Sequence, residues 1–103
     1  MSSSTQPRPG VLSIRFTRRI ARQCRLQGRL LPDWAVCDTV ANGTRRLLES
    51  RGPLGGQLVR FERTYGARGT VAVLGELVDA GVVARKLLLP SRGGKKTGRI
   101  WDF

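Results

Sequence analysis

The 103-residue chain has no histidine and only two cysteines, Cys24 and Cys37. A structural zinc site draws its ligands from Cys and His, so this chain cannot build the common kinds alone. The missing histidine also removes the base of Ser–His and Cys–His nucleophilic pairs. No carboxylate pair is clustered and no nucleophile stands beside a base, so an enzyme is not expected, and no cofactor or metal is implied. The cysteines read as small core residues, and the sequence leaves open whether they bridge. No apolar run reaches membrane-spanning length and no secretory apolar segment follows Met1, so no membrane partner is expected. Acid is scarce as well: seven Asp and Glu stand against nineteen Lys and Arg, a net charge of +12.

What is present is positive charge, unevenly placed. Residues 1–32 carry seven arginines and no acid, residues 33–82 are neutral, and residues 83–103 carry six basic groups against Asp102. A neutral body between two basic ends points to a polyanion such as DNA, RNA or an acidic surface. The length suits one domain, and 40% apolar residues can supply one small core.

Taken in order, residues 1–10 offer almost nothing apolar to bury and read as a disordered tail. Residues 11–16 alternate, with Leu12, Ile14 and Phe16 on one side, as in a short strand or extended arm. Thr17 is placed to cap a helix that runs to Gln27, with Ile20 and Cys24 on its apolar face and Arg18, Arg22, Arg25 and Arg29 as a basic stripe. That stripe reads as phosphate contact, as a solvated face, or as part of a cleaved targeting segment. Asp33 opens a second helix, with Trp34, Cys37, Val40 and Ala41 at helical spacing, interrupted at Asn42-Gly43. Further helices are expected over residues 44–50, 55–65 and about 67–80, the last with Val71, Leu74, Leu77 and Val78 on one face and Gly81 as its C-cap. Val82-Val83 then opens an apolar run. A Gly-rich basic loop, S-R-G-G-K-K-T-G, joins it to R-I-W-D-F, which reads as a hairpin. Gly93-Gly94-Lys95-Lys96-Thr97 lacks the spacing of a phosphate-binding loop and no helix follows it.

The order helix, Gly52-Pro53-Leu54 turn, helix, Gly66, helix, Ala80-Gly81, strand resembles a winged helix–turn–helix domain of the small bacterial, phage or plasmid regulator type, over residues 44–103. The resemblance implies a mainly α fold with a small β-hairpin. It divides residues 11–103 into a basic N-terminal segment (11–32), helices (33–81) and a wing (82–103). It also implies double-stranded DNA as partner, with Arg68 and Thr70 at the start of the reader helix and Arg85, Lys86, Arg92, Lys95, Lys96 and Arg99 in the wing. Arg18, Arg22 and Arg25 would add phosphate contacts. Past Arg68 the outward face would be Ala72, Val73, Glu76, Asp79 and Ala80, which is small and acidic. Binding is therefore expected to be salt-sensitive and of modest sequence specificity, as in a regulator of transcription or of plasmid or phage replication and maintenance in the bacterial cytoplasm. Two other functions are carried beside this one. One is a protein-interaction module or inhibitor that uses the Ala72/Val73 face; the other is an RNA- or ribosome-associated protein. A homodimer through surplus apolar surface at Leu12, Ile14, Phe16 or Trp34 is a further candidate.

Overall fold

A computed structural model describes residues 13–25, 31–79 and 81–88. The elements are strand β1 (Ser13–Phe16), helix α1 (Arg18–Gln23), helix α2 (Asp33–Asn42), and strands β2 (Thr44–Arg51), β3 (Gln57–Thr64), β4 (Thr70–Val78) and β5 (Gly81–Leu87). A single 3-10 turn, Gly66–Arg68, links β3 to β4. The strands form one five-stranded sheet in the order β1-β5-β4-β3-β2. β1 runs parallel to β5, and every other pair is antiparallel.

One face of the sheet carries the core. Val59 and Phe61 of β3, Val71 and Val73 of β4, and Val82, Ala84 and Leu87 of β5 are buried in one cluster with Ile20, Cys24, Leu31, Ala35, Val36 and Val40. The register aligns these side chains in rows, for example Phe61, Val73 and Leu87. α2 packs over β3 and β4, and α1 over β5. α1 is far too short to be stable alone. It is held by Thr17, whose hydroxyl accepts from the Ile20 N–H at 3.2 Å and donates to the Arg85 carbonyl at 2.8 Å. Gln23 hooks the other end, where its Oε1 accepts from the Leu87 N–H at 2.8 Å. α1 thus continues the edge of β5 beyond the point where β1 ends.

This architecture corrects the expected winged helix–turn–helix. The fold is a small α+β domain dominated by its sheet, not a mainly α one. Residues expected as three helices form β2, β3 and β4, and the Gly52-Pro53-Leu54 turn is the hairpin bend between β2 and β3. The reason lies in burial. β4 is the central strand, and Val71, Ala72, Val73, Gly75 and Glu76 are all buried, so both of its faces are covered. A strand covered on both faces shows no alternation, and its apolar run fits helical spacing equally well. β2 fails in the opposite way: seven of its eight residues are exposed, so it has no apolar face to alternate.

The N-terminal expectations fare better. Ser13–Phe16 is a strand, Thr17 caps α1, and Ile20 and Cys24 are buried, but α1 ends at Gln23 rather than at the expected Gln27. α2 has Pro32 as its N-cap with Asp33 in the first turn and no side-chain cap, and of the two outcomes open at Asn42-Gly43, a bend or an end, the helix ends there. The face of α2 is rotated, however: Ala35, Val36, Thr39 and Val40 are buried, while Trp34 is 52% exposed. Both cysteines are free. Burial raises the Cys24 thiol to about 11, with Asp33 adding to the effect, so it stays protonated and unreactive near neutral pH.

Candidate nucleic-acid interface

The arginines of α1 are the clearest candidate for contact with a polyanion. Arg18, Arg19, Arg22 and the following Arg25 are all exposed, because Ile20 and Cys24 take the inward positions. None of the four is in an ion pair among the described residues. Arg15 on β1 is exposed as well and lies at the same edge of the sheet.

Arg68 and Thr70 lie not on a helix but in the turn before β4 and on the first residue of that strand. Both are exposed, and the Thr70 hydroxyl lies 2.9 Å from that of Thr64. Thr70 is three residues along β4 from Val73, which pairs with Leu87, the residue that Gln23 of α1 holds. At about 3.4 Å per residue this puts the Arg68–Thr70 turn and α1 at the same end of the sheet, roughly 10 Å apart along the strands. Lys86 pairs with Leu74 on the helix-free face. Arg85 is engaged elsewhere: its guanidinium stands 3.5 Å from Glu76 Oε1. Arg92, Lys95, Lys96 and Arg99 lie outside the described residues.

Glu76 does not face outward, as a reader helix would require. Its side chain is fully buried in β4. Oε2 accepts from the Leu54 N–H at 2.9 Å and the Gly56 N–H at 2.8 Å. Oε1 makes no hydrogen bond among the described residues and lies 3.5 Å from the Arg85 guanidinium, beside Gly52. The carboxylate therefore ties the β2–β3 bend to the sheet. Gly55 supplies the positive φ of 85° in that bend. A Cβ on Gly56 would collide with the Leu77 carbonyl. The sequence signal was a lone acid inside an apolar run, V-A-V-L-G-E-L-V.

Ala72 and Val73, the expected partner face, are buried at 6% and 0% exposure. A second polar cluster escaped sequence reading because α2 and β3 assemble it from distant positions. The Tyr65 hydroxyl donates to Asp38 Oδ2 at 2.7 Å, and Asn42 Nδ2 donates to Asp38 Oδ1 at 2.7 Å. Arg63 pairs with Asp38 at 3.2 Å and lies over the Tyr65 ring. Trp34 meets the same ring edge-on, with centroids 5.9 Å apart. These hydrogen bonds, from Tyr65 first and then Asn42, hold the Asp38 carboxyl below its ordinary range, and Arg63 adds to the effect.

Among the described residues no group of three or more His, Cys, Asp or Glu side chains could hold a metal, and no helix is long and apolar enough to cross a membrane. Comparison of the chain with known protein families, with curated proteins and with solved structures finds no match.

Proposed function

We propose that the protein binds double-stranded DNA through its phosphates, with strong salt dependence and modest sequence specificity. The observation that carries this reading is the set of four exposed arginines, Arg18, Arg19, Arg22 and Arg25, on one short helix and the turn after it, with no ion-pair partner among the described residues. Guanidinium groups spaced along one helix face can follow a phosphate backbone. Aromatics are 6% of the chain, few for the stacking platforms that single strands need, so duplex is the favoured form.

The test is binding to random duplex DNA, single-stranded DNA and structured RNA across a salt series. Duplex preference is expected. Replacing Arg18, Arg22 and Arg25 together by Ala should weaken binding to every sequence and flatten the slope of log affinity against log salt by about 0.9 per lost phosphate contact. An unchanged slope would remove α1 from the interface. Arg68→Ala should chiefly relax any site preference, and a reproducible preferred site would extend the reading to a regulator of transcription or replication. Negligible binding to all three polymers would overturn the proposal and assign the charge to a protein partner.

A further inference from the structure

The face of the sheet turned away from the helices carries a line of cations. Residues 44–47 of β2 pair one for one with residues 59–62 of β3, and residues 58–64 of β3 with residues 70–76 of β4, each in antiparallel order. Leu74 of β4 in turn pairs with Lys86 of β5. Paired residues point to the same face, so Arg46, Arg60, Leu74 and Lys86 form one row across four strands. Both register shifts of the sheet fall outside this row. That of β2 begins only after Leu47, and that of β5 lies between Lys86 and Ala84. Phe61 and Val73, which adjoin Arg60 and Leu74 in the chain, are buried in the core that α2 covers. Alternation along the strands therefore turns the row to the opposite face.

Arg46 is exposed, and Arg60 and Lys86 are partly so. Neither Arg46 nor Lys86 has an ion-pair partner among the described residues; Arg60 has only Glu62, 3.4 Å away in the same strand. Arg46 and Arg60 stand directly opposite each other, which is unfavourable between like charges unless an anion lies over them. Neighbouring strands are about 4.8 Å apart, so the positions of Arg46 and Lys86 are separated by roughly 14 Å. One small anion does not reach both, whereas a polymer with a charge at every repeat does. The aromatic residues of the described strands, Phe16 and Phe61, pack with the core on the other face. The row therefore offers bases nothing to stack on, and what it can hold is the phosphate backbone of a duplex.

We infer that this row is a second phosphate-contacting surface for duplex DNA, with Arg46, Arg60 and Lys86 as its contacts. Lys86 immediately precedes Leu87, whose N–H is bound by Gln23 of α1, so the row starts beside α1 and runs from there to the β2 edge. The inference rests on the DNA reading and adds to it a surface that α1 does not supply. Phosphate contacts position a duplex without reading its bases, so this face adds affinity and salt dependence rather than sequence preference.

The experiment measures affinity for a short random duplex across a salt series. It compares wild type with Arg46→Gln, with the double variant Arg46→Gln/Lys86→Gln, and with Arg45→Gln. Arg45 is the matched control: it is exposed and adjacent in the chain, but it lies over the Phe61 ring on the other face. Arg46→Gln should weaken binding and flatten the slope of log affinity against log salt by about 0.9, and the double variant by about 1.8. Arg45→Gln, which removes the same charge, should keep the wild-type slope. Equal effects of Arg45→Gln and Arg46→Gln would overturn the inference, because net charge and not this face would then set the binding. So would a wild-type slope in the double variant while the triple α1 variant flattens it, a result that leaves the DNA reading standing. A wild type that binds no duplex would overturn both.

Discussion

Glu76 is the residue on which the β2–β3 bend depends. It has no exposed surface, and two backbone N–H groups and one guanidinium converge on its carboxylate. Removing one partner of a buried pair leaves the other groups uncompensated, which typically costs more than the pair itself contributes. Glu76→Ala should therefore lower stability by about 3 kcal/mol in urea denaturation; an unchanged midpoint would show that the bend is held without it. Asp38 gives a pH signature. Its folded carboxyl titrates below the ordinary range, so its contribution is present above the unfolded value, about pH 4, and is lost as pH falls through the lower folded value. Asp38→Asn should be less stable than wild type near neutrality, and the gap should narrow on acidification. A gap that does not change with pH would contradict the assignment.

Among the elements, α1 is a case of tertiary support. Its six residues gain little from helix propensity; they hold because Ile20 is buried and Thr17 and Gln23 bind the backbone of β5. Thr17→Ala should lower stability by about 1 kcal/mol and Thr17→Ser should recover most of it. If both variants melted alike, the capping hydroxyl would have no part in stability. The Thr17 cap was legible because local chemistry writes it: a hydroxyl before a run of helix formers. Gln23's bond to Leu87 was not, since its partner lies 64 positions away.

For the whole molecule, a charge of +12 on 103 residues means self-repulsion in the folded state. Thermal midpoints should rise when salt is added at low ionic strength, and rise further with a polyanion that binds the folded form. Midpoints indifferent to both would mean that the charge is spaced too widely to act. The charge asymmetry, the single small core, the exposed arginines of α1 and the Thr17 cap were all determined by the sequence, because composition, capping and short-range spacing are local properties. The sheet was not. Whether V-A-V-L-G-E-L-V becomes a helix or the central strand depends on having a strand on each side and cover on both faces, and those neighbours, β3 and β5, are themselves defined only by pairing. Only the tertiary structure could turn Glu76 inward to the bend and leave Leu47 bare at the edge, because burial is a property of neighbours and not of position in the chain.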